Sequence, residues 1–260
     1  MKKTIRRIIP AMLVLVALTT LSFMAKDGVI LRLKPQQGKT YTITTKANMM
    51  MNMEVQGQMM SMSQSQEARQ TFTAKETNDT QTVFETQIEA MKLSMSQMGM
   101  KFEYDSEHPE NTSPMLAGQT KEIEARLKKP VTVTYDALGK FVGDSTEFAL
   151  GSAVIELPDQ ELTVGSKWNS TTSQSVSDVE IKVDMEYTVT AISKKSVDVS
   201  FAGNVNSKEV TGTYNGTASL NPVTGMVMTS TMKSNISLTL SEQGLSNTVT
   251  IVGNTTIEVK

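Results

Sequence analysis

The 260-residue chain predicts a mainly β fold: antiparallel meanders, duplicated, that form one curved sheet or open barrel with one or two covering helices. Three observations lead there. Beyond the N-terminus Thr, Ser and Val dominate, and apolar residues alternate with polar ones over long runs, the period of a strand with one wet face. Turn signals break these runs at Asn78-Asp79, Met98-Gly99, Val164-Gly165, Ser193-Lys194-Lys195, Asn215-Gly216, Asn221-Pro222 and Gln243-Gly244. Finally, two halves share an order of elements. Gly38-Lys39-Thr40-Tyr41 is echoed by Gly165-Ser166-Lys167-Trp168, and Thr71-Phe72-Thr73-Ala74 with Phe84 by Thr188-Val189-Thr190-Ala191 with Phe201. Asp136-Ala137-Leu138-Gly139 is echoed by Asn221-Pro222-Val223-Thr224. Each element is a generic signal, and the shared order is what supports a duplication.

The expected organisation is a signal segment (1–25), a first meander with inserted helices (26–156) and a second meander (157–260), the two meanders forming one continuous domain or two. Lys2, Lys3, Arg6 and Arg7 precede the apolar run Ile8 to Leu18, the layout of an export signal. Ala25 suits its last position, with Ser22 as the alternative. Ile8 to Met24 reaches only the lower edge of spanning length and carries Pro10, Thr19, Thr20 and Ser22, so removal is expected over retention as an anchor. If retained, this segment is the expected route to a membrane. The expected location is therefore the periplasm or cell envelope. With no cysteine there is neither a disulfide nor a lipid-modified N-terminal cysteine, and stability must come from burial. Losing the four basic residues leaves a net charge of about −6, against nucleic-acid binding and anionic membrane surfaces.

In chain order, Tyr41 to Thr45 leads into a run, Met49 to Met62, that holds seven of the 19 methionines. A two-residue turn at Gln56-Gly57 folds it into a hairpin. That closure sets Val55 opposite Gln58, Met53 opposite Met60 and Met51 opposite Met62, all on one face with Met49. Asn52, Glu54, Ser61 and Ser63 take the other face, with Met50 and Met59 as apolar exceptions. Strands follow from Thr82 to Leu93 and from Lys101 to Tyr104. His108 to Pro114 breaks the pattern, after which Ser113 caps a helix with Pro114 at its first position, running through Leu116, Ile123 and Leu127 to a stop at Pro130. Pro130 to Tyr135 and Lys140 to Val142 make a hairpin, and Asp144 with Glu147 opens a second helix through Val154. From Glu161 onward the pattern is strands again.

Catalysis finds little material. The single imidazole, His108, sits in a polar loop, and no nucleophile-elbow serine, phosphate-cradling glycine loop or zinc or calcium ligand spacing is present. The expected function is non-enzymatic, with no cofactor. Three readings of the methionine hairpin stand side by side. Met51, Met53, Met60 and Met62 could ligate Cu(I) or Ag(I) through thioethers. The same side chains could be plain core. Or Met49, Met51, Met53, Met60 and Met62, supported by Leu93 and Met95, could line a face that accepts an apolar small molecule, lipid or lipidated envelope partner, since unbranched methionine adapts to varied shapes where sheet cores normally select branched residues.

Leu33…Gly38-Lys39-Thr40-Tyr41-Thr42, the methionine hairpin, Lys101-Phe102-Glu103-Tyr104-Asp105-Ser106 and Leu157-Pro158…Val164-Gly165-Ser166-Lys167-Trp168 resemble a domain-of-unknown-function family of exported, β-rich proteins of Gram-negative envelopes. The resemblance implies a periplasmic or surface β protein and transfers no catalytic residue. Many such relatives carry a lipid-attachment cysteine, which this chain lacks. The strand-rich layout with a helix inserted midway is also loosely similar to the half-open barrels of lipoprotein carriers, an analogy of fold.

Overall fold

The computed structural model describes residues 28–55, 58–143, 153–176, 179–207, 210–242 and 245–260. The export signal, the Gln56-Gly57 and Gln243-Gly244 turns and the opening of the second helix at Asp144 lie outside the described residues; residues 153–155, at that helix's expected end, are not helical. Strands β1 (Thr40–Val55), β2 (Gln58–Thr77), β3 (Gln81–Gln97), β4 (Met100–Asp105), β5 (Val131–Asp136) and β6 (Phe141–Val142) form the first meander. Strands β7 (Lys167–Val176), β8 (Val179–Ile192), β9 (Val197–Asn206), β10 (Val210–Leu220), β11 (Val227–Glu242) and β12 (Leu245–Val259) form the second. All pair antiparallel into one open 12-stranded sheet ordered β6-β5-β3-β2-β1-β12-β11-β10-β9-β8-β7, with β4 beside β3. The last strand joins the meanders by pairing with the first, from Ile43 opposite Val259 to Met53 opposite Val249.

Alternation decides which face is buried. Tyr41 and Ile43 on β1 share a face with Phe72 and Gln70 on β2, and all four are buried, while Lys46, Asn48 and Met50 on the opposite parity are exposed. The core occupies one end of this inner face. There Phe72, Phe84 and Tyr135 meet edge to face, with centroids 5.5 and 6.1 Å apart, and Trp168 stacks on Tyr187 at 4.9 Å.

Two extended segments, 29–34 and 153–162, seal that end. Val29 and Leu162 exchange backbone hydrogen bonds of 2.9 and 2.8 Å. Leu31 enters the core of the second meander and Leu33 that of the first. The segments also brace the meanders crosswise. Leu157 N–H donates to Leu138 in the first meander's turn, and Lys34 N–H to Thr224 in the second's. In these turns Gly139 and Gly225 have φ of 77° and 69°. A Cβ on Gly139 would strike the Ile155 carbonyl, and one on Gly225 the Arg32 carbonyl, so both the backbone conformation and the close approach demand glycine.

The duplication is visible in hydrogen bonds. Gly38 N–H donates to Ala74 and Ala74 N–H to Lys39; Gly165 N–H donates to Val189 and Val189 N–H to Ser166. Asp136 Oδ1 accepts from Leu138 and Lys140 N–H, and Asn221 Oδ1 from Val223 and Thr224 N–H, closing equivalent turns. These bonds make Tyr187, rather than Val189, the counterpart of Phe72, two residues from the sequence echo. A second correction concerns Asn215-Gly216, which is no turn but the middle of β10. Gly216 lies opposite Phe201, whose ring occupies the space a Cβ would fill, so the glycine makes room for an aromatic.

The helix after Pro114 begins as a 3-10 turn (Pro114–Leu116) and continues as α1 (Ala117–Arg126). Ser113 does not cap it: its hydroxyl accepts the Glu103 N–H at 2.9 Å, tying the helix entrance to β4. Lys128, at φ 57°, turns the chain out after α1 and donates its N–H to Ile88 at 2.9 Å.

Candidate functional site

Beyond the aromatic core, the inner face continues to the far end of the sheet with different residues. The β1–β2 register places Val55 opposite Gln58, Met53 opposite Met60 and Met51 opposite Met62, the pairing that a turn at Gln56-Gly57 requires. On the other side of β1, Met53 faces Val249, Met51 faces Ile251 and Met49 faces Gly253. The same rungs run on through Leu238 and Ile236 of β11 to Val210 and Gly212 of β10. Two apolar rungs thus cross five strands: Met60, Met53, Val249, Leu238, Val210 and, below it, Met62, Met51, Ile251, Ile236, Gly212. At strand and residue spacing they span roughly 19 Å by 7 Å.

The methionines of these rungs, with Met49, Ile251, Ile236 and Leu238, are half-buried, whereas Val210 and Val249 are buried. One rung nearer the core stand Gln64, Met49, Gly253, Ser234 and Tyr214. Burial there pushes the Tyr214 phenol above its ordinary pKa. Polar groups on this rung give the band a wet lower border. The outer face of the same strands carries Asn48, Asn52, Ser61, Ser63, Asn235, Ser237, Thr250 and Asn254, with Met50, Met59 and Val252 as apolar exceptions. A mainly apolar inner face and a mainly polar outer one is the reverse of what a lipid-spanning barrel presents. Among the described residues, no helix is long and apolar enough to cross a membrane.

Leu93 and Met95 stand apart from the band. They sit on β3, opposite Gln66 and Gln64, and belong to a satellite core in which Met91, Leu93, Tyr104 and Leu116 are buried and Met95, Phe102 and Ile123 pack against them. The helix therefore covers this flank and leaves the two rungs uncovered by itself. Sequence reasoning placed the methionines and missed Val249, Ile251, Ile236, Leu238 and Val210. Their alternation is plain in the chain, but nothing local says that β12 will dock on β1.

A second hollow, of about 550 Å³, lies on the outer side among Lys46, Glu67, Lys92, Asp105, His108 and Asn111. Its charges are matched within the protein. Lys46 pairs with Glu67 at 3.5 Å and Lys92 with Asp105 at 2.8 Å. The Lys92 hydrogen bond, helped by the Glu107 N–H, holds the Asp105 carboxyl below the usual range. Among the described residues no group of three or more His, Asp or Glu side chains gathers as for a metal ion. Met51, Met53, Met60 and Met62 do converge, as two directly opposed pairs.

Residues 146–257 match the model of DUF6263, a family of unknown function. The DUF6263 match covers the second meander and its junction strand, in agreement with the resemblance to a family of unknown function. Among curated proteins, none matches the chain. Among solved structures, the chain is similar to one described as "lipid-protein interactions in lipovitellin", at 15% identity and a TM-score of 0.48, over 86% of this chain and 25% of that one. The chain thus spans a quarter of the lipovitellin chain. It is also similar to an outer-membrane channel from Pseudomonas putida F1, at 5% identity and a TM-score of 0.26, covering 88% of this chain and 98% of the other. The translocator domain of the autotransporter NalP from Neisseria meningitidis gives 10% identity and 0.24, over 86% and 90%.

Proposed function

We propose that this is a non-enzymatic, exported envelope protein that binds an apolar ligand, a lipid chain or a lipidated partner, along the two rungs. The observation that carries the reading is their continuity. Branched and thioether side chains, with Gly212 at one end, cross five strands without a charged residue; all but Val210 and Val249 are half-buried, and no element of the described chain is laid over the methionines. An acyl chain laid there would lose water from each methylene at about 0.8 kcal/mol, less the cost of ordering it. Methionines from β1 and β2 would adjust to its shape while Val and Ile on β12 and β11 hold the floor rigid.

Binding of a fluorescent fatty-acid probe, with native mass spectrometry of protein taken from its own envelope, tests the reading. Met51→Asp should weaken the probe at least tenfold, because it places a carboxylate in the band. Met50→Asp, its neighbour on the opposite face, should leave the affinity unchanged. Equal loss in both, or no retained lipid and no probe binding in the parent, overturns it.

The opposed pairs Met51/Met62 and Met53/Met60 favour one second reading, a Cu(I) or Ag(I) site of thioethers. Leucine at all four positions separates the two, keeping the apolar surface and removing every sulfur. Metal binding that survives this change would rule out the thioether site.

A further inference from the structure

Met50, Met59, Met98, Met100 and Val252 are 53, 68, 78, 54 and 45% exposed; elsewhere Ile30, Val131, Val142, Val164 and Val223 are exposed, none of them a methionine. All belong to the uncapped end of the sheet. Met50 and Val252 stand opposite each other on the outer face, Met59 is the second residue of β2, and the Met98-Gly99 turn follows Gln97, which faces Met62. Apolar groups therefore surround this end on both faces, which a partner seated on one side could not cover.

Charge is withdrawn from the same region. Along the strands that carry these side chains, residues 47–66, 93–100 and 234–257 contain two charged residues, Glu54 and Glu242, in a chain that is 20% charged; charge returns at Lys101, next to Met100, and in the sequence at Lys208-Glu209, before β10. Desolvating charge is the chief obstacle to entering a lipid interface, and along these strands charge is sparse. Met98 adds an independent sign. It holds φ 51° and is followed by Gly99 at 78°, a turn in which Asn or Gly is preferred at the first position. A methionine kept in that strained and exposed place answers to something other than folding.

From these observations we infer that the uncapped end docks on a lipid bilayer of neutral headgroups, sinking the exposed methionines into its interface. The inference rests on the proposed apolar band, to which this end is the entrance: a chain leaving the bilayer would reach Met60 and Met53 first. The contact resting on apolar side chains rather than on charge pairing, added salt should not release it.

Flotation with phosphatidylcholine vesicles tests this, using protein as the expressing cell leaves it and a triple variant, Met50→Ser, Met59→Ser and Met98→Asn, with the same N-terminus. The parent should float in low and high salt alike, and the variant at least fivefold less. The soluble fatty-acid probe should bind both equally, so a failure of docking is distinguishable from a failure of the band. Equal flotation of parent and variant, flotation released by salt, or concentration-dependent self-association in place of flotation would each overturn the proposal.

Discussion

The two ends of the inner face are made by the same strands with the same alternation, yet they have opposite fates. Toward one end β1 carries Tyr41 and Ile43, β2 carries Phe72, and the crossing segments lay Leu33, Ala153 and Val154 over them; all six are at most 7% exposed. Toward the other, β1 carries Met49, Met51 and Met53 and β2 carries Met60 and Met62, and these remain half-buried. What distinguishes the ends is residue type together with closure. Rigid aromatic and branched groups stand where the chain supplies its own lid, and pliant thioethers where it supplies none. An apolar strand face by itself says little about whether it is core or site; the element laid across it decides.

That contrast can be attacked from its strongest side first. Phe72→Ala empties a fully buried ring position and should cost about 3–5 kcal/mol in chemical denaturation. If the sealed end were loosely packed, the loss would be far smaller. Gly225→Ala should cost about 2–4 kcal/mol, combining a positive φ with a collision against the Arg32 carbonyl. Gly139→Ala should behave alike if the cross-bracing is symmetric, and a large difference between them would show one segment to be dispensable.

At the open end the same measurements should barely move. Met51→Leu with Met62→Leu conserves volume at half-buried sites and should change stability by less than about 1.5 kcal/mol. Met98→Asn should go the other way, gaining roughly 1 kcal/mol by relieving the turn. A loss there would mean that Met98 packs within the fold. The smallest effect expected is acid titration of the Lys92–Asp105 pair. Asp105 is depressed in the folded state, so its contribution is present above the ordinary carboxylate pKa and fades as pH falls through the lower folded value. Lys92→Met should flatten that part of the stability–pH profile.

Much of the architecture was legible because it is local. The β1–β2 register follows from one turn position, and a single slip would have moved every methionine to the other face. The Ser113-Pro114 signal marked where a helix begins, although the serine hydroxyl turned out to serve β4 instead of a cap. What could not be read depends on distant partners. Nothing in Thr248 to Val252 announces Met49 to Met53 as its neighbour, so the apolar band was foreseen only on its methionine side. Asn215-Gly216 carries the strongest short hairpin signal in the second half and is overridden because Phe201 needs the vacant space beside it. The repeat was offset by two residues because alternation repeats every two, leaving Val189 and Tyr187 equally good matches until hydrogen bonds chose.

The pairing of β12 with β1 has a consequence for how the molecule comes into being. β12 is made about two hundred residues after β1, and the lid over the early meander includes residues 153 and 154 from beyond it. The first half consequently waits, with its strand edge unmated, until β12 is available, and assembly is dominated by remote contacts that form slowly. Deleting β12 would therefore remove the seam of the whole sheet, leaving two part-sheets, each with a raw edge at β1 or β11.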